Sequence, residues 1–176
     1  MTHQVINHLQ QFHFIDWISN TDQYWPLGDV SNGMIAGTRS GNAYGTFTSG
    51  YTPAGRQYLS FNGQNSYVKI PGLTQTCISN PPRCANGLTI SMMLNLDPSL
   101  SRTNGKVYIL DILGQGFTDS LGSYVYVDNG QLGVFMRSIY HSWHSIVTPV
   151  LGKWVHVVFV WNQQNGLTIY RNGQNV

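Results

Sequence analysis

Along most of the chain, apolar residues recur at every second position. Leu88, Ile90, Met92 and Leu94 alternate with Thr89, Ser91, Met93 and Asn95. In "KVYILDIL", Lys106 to Leu113, Val107 and Ile109 fall on one face and Tyr108, Leu110 and Ile112 on the other. "SYVYV" and "QLGVFMR" flank Asp128-Asn129-Gly130, and "LTIY" runs into Asn172-Gly173. A period of two predicts strands, and several of these have two apolar faces. Helical spacing is confined to the start, where Val5, Leu9 and Phe12 fall at i, i+4 and i+7 and predict a short helix. The chain is therefore read as an N-terminal extension over 1–23 and a strand-rich domain over 24–176.

Asn-Gly dipeptides begin at positions 32, 62, 86, 104, 129, 165 and 172. Tight hairpin turns need positive φ at both central residues, which Asn and Gly tolerate best. Short alternating segments joined by such turns predict antiparallel sheets. The simplest cover for one sheet's apolar face is a second sheet, which makes a sandwich. The last residues, "YRNGQNV", place a turn directly before Val176 and leave a hairpin arm of only two or three residues. The sandwich is thus expected to be truncated at its C-terminal strands. An open sheet edge of that kind favours homo-oligomerisation by strand addition.

At 176 residues the chain suits one domain with a substantial core. Only 9% of residues are charged, glutamate is absent, and the formal net charge is +2. Asn, Gln, Ser, Thr and Gly supply solubility instead, a profile that suits a β-rich extracellular domain. Without a run of Lys or Arg, nothing tracks a phosphate backbone, so nucleic acid is not an expected partner. The longest apolar run, "WVHVVFVW" from Trp154 to Trp161, is far short of the ~20 residues of a membrane-crossing helix. The opening residues lack the pattern of a signal peptide.

Both cysteines lie in "TCISNPPRCANGLTIS", Thr76 to Ser91. A bridge between Cys77 and Cys84 would close a short loop worth roughly 2.5 kcal/mol by chain entropy, less where Pro81 and Pro82 already restrict the unfolded chain. Its local effect is a rigid corner that delivers the chain into the strand at Leu88 in one register. The alternative is two free thiols in a reducing compartment. Two lone cysteines this close, set among turn residues, favour the disulfide.

Four segments, in order, carry a family resemblance. They are "YWPLGDV" (Tyr24–Val30), "YLSFNGQNSYVKIP" (Tyr58–Pro71), "CISNPPRCANGLTISMML" (Cys77–Leu94) and "KWVHVVFVWNQQNGLTIYRNG" (Lys153–Gly173). Together they resemble the laminin-G-like and pentraxin-like domains of the concanavalin A-like jelly-roll superfamily. The short cysteine staple ahead of the strand is most similar to the pentraxin-like domain at the amino end of adhesion G-protein-coupled receptors of the D1 type. The resemblance covers Tyr24 to Val176. It implies an all-β, antiparallel two-sheet jelly-roll sandwich with further strands beyond the last hairpin. It also implies an extracellular, non-catalytic recognition or adhesion domain of a cell-surface receptor that binds a protein or glycan ligand. A membrane would then be met only through a parent chain. The second reading is a secreted carbohydrate-binding lectin.

Candidate chemistry is sparse. Some relatives of this fold cut β-glucans with a Glu-x-Asp-x-x-Glu strand, and a chain without glutamate cannot build that site. Asp111, mid-strand in "YILDIL", reads as a cleft carboxylate or, more simply, a hydrogen-bonded polar-face residue. Calcium ligands in the resembling families sit in an "FDGxxD" turn, which here is Phe61-Asn62-Gly63-Gln64-Asn65-Ser66, with amides in place of acids. Asp119 and Asp128 remain candidate calcium ligands, and no other cofactor is expected. His141 and His144 are spaced i, i+3 but not on a predicted helix, and His3, His8 and His13 would not share a helical face, so zinc is not favoured. His156 matches the structural histidine of the family's W-x-H-V strand. The residual signal is aromatic. Tyr140, His141, Trp143 and His144 in "SIYHSWHS" form a candidate ligand-binding surface, whereas Tyr24, Trp25, Trp154 and Trp161 read as packing residues. Reduction should add two hydrogens to the intact mass, and alkylation before reduction should label neither cysteine.

Overall fold

The computed structural model describes residues 9–13, 30–35, 40–61, 66–72, 76–102, 105–113, 122–138 and 140–176. The predicted alternation appears there as pleated strands: β1 (Leu9–His13), β2 (Val30–Ser31), β3 (Met34–Ile35), β4 (Gly41–Tyr44), β5 (Phe47–Tyr51), β6 (Gln57–Phe61) and β7 (Tyr67–Lys69). Then follow β8 (Leu88–Leu96), β9 (Val107–Leu113), β10 (Gly122–Asp128), β11 (Gln131–Arg137), β12 (Ser142–Val147), β13 (Trp154–Asn162), β14 (Gly166–Arg171) and β15 (Gln174–Asn175). All the pairings described are antiparallel. A seven-stranded sheet runs β15-β14-β13-β8-β1-β6-β5, and two four-stranded sheets run β12-β11-β10-β9 and β2-β3-β4-β7.

Asn-Gly does the work expected of it at the tightest hairpins. Asn32, Asn129 and Asn172 all have φ near 50°, and the glycine after each is also positive, as two-residue turns require. Between β13 and β14 the loop is longer, and Asn162 Oδ1 holds it by accepting from the N–H groups of Gln164 and Asn165 at 3.0 and 2.7 Å. With register set at the turns, the period of two decides what is buried. Ile90, Met92, Leu94 and Leu96 of β8 and Val155, Val157, Phe159 and Trp161 of β13 face inward. They belong to the same buried cluster as Val125, Val127, Leu132, Val134 and Met136 of the β12-β11-β10-β9 sheet, and Ile35 of β3 joins it.

The structure corrects two local expectations. Leu9 and Phe12, read as helical, lie in β1, which pairs with β8 on one side and β6 on the other. A helix of so few residues is marginal in water, whereas a slot between two strands satisfies the backbone along both edges. Residues assigned to an N-terminal extension thus supply a strand of the large sheet. In β9 the simple alternation fails because the ladder slips by one residue: Val125 pairs with Leu110, but Tyr126 pairs with Tyr108. Ile109 is the extra residue of this β-bulge. Leu110 and Ile112 therefore reach the core side that Val107 also contacts, while Tyr108 and Asp111 both point outward.

The cysteine loop forms as expected. Cys77 and Cys84 are bridged, with Cα atoms 5.1 Å apart, and the loop between them folds into two short 3-10 turns. It ties the sheets together at one end. The fully buried Ser123 of β10 donates its hydroxyl to the Ile78 carbonyl at 2.9 Å. Gly87, whose N–H donates to Cys84 O, has φ +87°, and a Cβ there would lie 2.5 Å from the Trp161 carbonyl of β13. Both the backbone conformation and the close approach demand glycine. Gly87→Ala should lower stability by about 2 kcal/mol in chemical denaturation with the disulfide intact.

Candidate functional site

The outer face of the sheet β9–β12 carries the densest aromatic surface among the described residues. The sandwich consumes the inward positions of these strands, so the ladder fixes which residues face out. Tyr124 is opposite Asp111 on one side and Phe135 on the other. Tyr126 is opposite Tyr108 and Gly133, Phe135 is opposite His144, and Arg137 is opposite Ser142. The Tyr124 and Phe135 rings stack at 4.8 Å and 17°. Tyr126 lies flat over Gly133, where any Cβ would strike the ring, and this lets it cross β11 toward β12. There it stacks parallel to His144, and its hydroxyl shares a hydrogen bond with His144 Nε2 at 2.6 Å. Tyr126 is only 4% exposed although it stands on the outer side of the sheet, because its neighbours cover it.

This burial sets the electrostatics. Tyr124 is pushed up to about 12 by burial first, then by Tyr108, Tyr126 and Asp111, with Arg137 opposing. Burial also raises Tyr108, aided by Asp111, and Tyr126, aided by Asp128 and Tyr108. These tyrosines are therefore neutral phenols at physiological pH, able to donate and accept hydrogen bonds beside apolar ring faces. The opposite outer face, on the seven-stranded sheet, repeats the device on a smaller scale. Tyr58 lies over Gly50 and packs on Trp154 at 5.6 Å, while Ser91 Oγ and His156 Nε2 share a hydrogen bond at 2.8 Å. Burial lowers the His156 pKa.

The sequence-predicted aromatic segment is split among three places. Tyr140 is 82% exposed at the tip of the β11–β12 turn. Buried Ser138 braces that tip, accepting at Oγ from His141 N at 3.0 Å while its own N–H donates to His141 O at 2.8 Å. Trp143 turns inward and meets Trp161 edge-to-face at 4.9 Å, with His141 stacked on it at 5.9 Å. His144, one residue on, joins the outer tyrosines. Strand alternation in β12 causes the split: Trp143 and His144 cannot share a face. Trp161 proves to be core and Trp154 half-buried sheet surface.

Of the calcium candidates, Asp128 sits at the β10–β11 hairpin, where Asn129 Nδ2 donates to its Oδ1 at 3.0 Å. Asp119 and the 62–65 turn lie outside the described residues, as do Tyr24, Trp25, His3 and His8. Among the described residues no three His, Cys, Asp or Glu side chains gather where they could hold a metal ion, so Asp128 stands without a carboxylate cluster. Tyr108, Tyr124, Tyr126 and Phe135 were not singled out from sequence. Period two did place Tyr124 and Tyr126 on one face, but their meeting with Phe135, Tyr108 and His144 depends on cross-strand register and the β9 bulge.

Antiparallel sheets closed over one shared apolar core are the architecture of a concanavalin A-like β-sandwich. The chain belongs to the concanavalin A-like lectin/glucanases superfamily, whose laminin-G-type family matches residues 61–176. Adhesion G-protein coupled receptor D1 of Homo sapiens is 24% identical over 159 residues, covering 89% of this chain and 17% of the receptor. The Bos taurus receptor of the same name is 27% identical over 100 residues, covering 56% of this chain and 10% of the receptor. No solved structure matches the chain.

In alkaline titration, the phenol of Tyr124 should ionise near pH 12. Because its folded pKa lies above the free-phenol value of 10.0, its contribution to stability is complete below pH 10 and is lost as pH rises toward 12. Phenolate absorbance compared between the native protein and Tyr124→Phe should lose its highest-pH step, and a Tyr124 that titrates with the exposed tyrosines would contradict the burial described.

Proposed function

We propose that this chain is an extracellular, non-catalytic recognition domain that binds a protein or glycan ligand through the outer face of β9–β12 and the adjoining Tyr140 tip. The observation that carries the reading is the band of Tyr108, Tyr124, Tyr126, Phe135 and His144, packed ring against ring on a rigid sheet. A sandwich needs no such investment on its outer side, where polar residues suffice. Large aromatic surface with polar handles, held with little residual rotamer freedom, is what recognition uses. Tyr140 on its braced turn adds an exposed anchor that loses little entropy on binding. The Cys77–Cys84 bridge suits an oxidising, secreted or cell-surface location. Similarity to adhesion receptors supports placement in a cell-surface parent chain, which would supply any membrane attachment.

A secreted lectin is the second reading, favoured by the pairing of ring faces with phenol hydroxyls, which can stack on a sugar and bond its hydroxyl groups at once. The chain has no glutamate, which supports a binding role over glycoside hydrolysis.

The test is binding of the tetramerised domain to cell surfaces and to a glycan array. The double substitution Phe135→Ala with Tyr140→Ala should weaken cell binding by about tenfold or more in a domain that still folds, with a lower melting temperature from the lost Phe135 packing. Array signal lost in the same variant selects the lectin reading; cell binding with a silent array selects a protein ligand. Undiminished binding by a folded double variant would overturn the assignment of this face.

A further inference from the structure

Lys106, exposed just ahead of β9, has its ammonium turned back over the outer face. Nζ lies 4.4 Å from the centroid of the Tyr126 ring and 5.6 Å from that of Tyr124. Those rings and Tyr108 form a triangle of inclined faces. Tyr108 and Tyr124 are 5.6 Å apart at 70°, Tyr108 and Tyr126 are 6.4 Å apart at 54°, and Tyr124 and Tyr126 are 5.9 Å apart at 46°. Aromatic faces attract a cation through their ring quadrupoles, and the Lys106 ammonium lies over two of these three rings, those of Tyr124 and Tyr126. The β9 bulge completes the arrangement. In a regular strand Tyr108 and Asp111, three residues apart, would point to opposite faces, but the slip at Ile109 brings both outward. Asp111 thus stands beside Tyr124 and adds negative charge to the same neighbourhood. The phenols are neutral at physiological pH, so the attraction to a cation comes from ring faces and carboxylate and not from phenolate.

We propose that Tyr108, Tyr124 and Tyr126 form a receptor for an alkylammonium cation presented by a binding partner, with Lys106 as its resting, displaceable occupant. The ligand chemistry is already displayed on the protein: an ammonium on a flexible aliphatic stem lies over the Tyr124 and Tyr126 rings. Lys106 acts as an internal competitor that keeps the cage filled and solvated cations out. A partner cation brought in by the rest of the interface takes its place, and Lys106 swings into water. For its biological meaning the inference rests on the recognition face proposed above. Its own test needs no partner, so the two can fail separately.

Tyrosine side-chain resonances of the isotopically labelled domain should be followed while tetramethylammonium chloride is added, with sodium chloride and the neutral isostere tert-butanol as controls. The expected result is a saturable shift confined to Tyr108, Tyr124 and Tyr126, with a dissociation constant on the order of 10 mM, absent with either control. Lys106→Ala should tighten it by about three- to sixfold, because a filled cage lowers apparent affinity by the fraction occupied. Tyr108→Leu should weaken it. Should Tyr108→Leu not fold, the comparison of wild type with Lys106→Ala still decides. A parallel titration with n-butylammonium separates the sources. A stronger response to it assigns the cage to a partner's lysine, a weaker one to a fully alkylated ammonium, and either order supports the site. Lys106→Ala showing no saturable shift, or tert-butanol reproducing the shifts, would overturn the proposal and leave the Lys106 contact as local packing.

Discussion

Burial of the inward-facing residues of β8 and β13 against β10 and β11 is the constraint from which the other features follow. Met92, Leu94, Phe159 and Trp161 are nearly inaccessible, as are Val125, Val134 and Met136 across the core. A strand shifted by one residue would expose its entire apolar set, so this core locks the register of every ladder it touches. The outer face is the complement of that choice. Once Val125 and Val134 face in, Tyr124 and Phe135 must lie side by side facing out.

The cysteine corner contributes at the end of the sandwich and not in its middle. The bridge closes a loop whose carbonyl at Ile78 receives the hydroxyl of buried Ser123, while Gly87 lets the chain pass close to the Trp161 carbonyl. Sulfur, a buried hydroxyl and a missing side chain therefore couple the β8 entry to strands of both sheets. The corner joins the two sheets at one end of the sandwich.

The outer face reconciles two opposing demands. Aromatic rings on a solvent-facing sheet invite aggregation, and here they are mutually covered, bonded and partly screened. Tyr126 shelters over Gly133 and bonds His144, and Lys106 lies across two rings. The surface keeps large rigid rings without offering a continuous apolar patch.

The sequence by itself determined the strand class, the main hairpins and the cysteine staple, because these are local. Alternation at Leu88–Leu94, Asn-Gly at 129 and 172, and two cysteines seven positions apart each carry their physical consequence within a few residues. The same locality explains the misreadings. Leu9 and Phe12 look helical until β8 and β6 offer them a slot, and Val107–Ile112 alternates cleanly until the partner strand imposes a bulge. Only the tertiary structure decided the candidate site. Trp143 and His144 are neighbours in sequence but part to opposite faces, while His144 meets Tyr126 from eighteen positions away. Strand order and register are set by how the whole core closes, and no short window of residues contains that information.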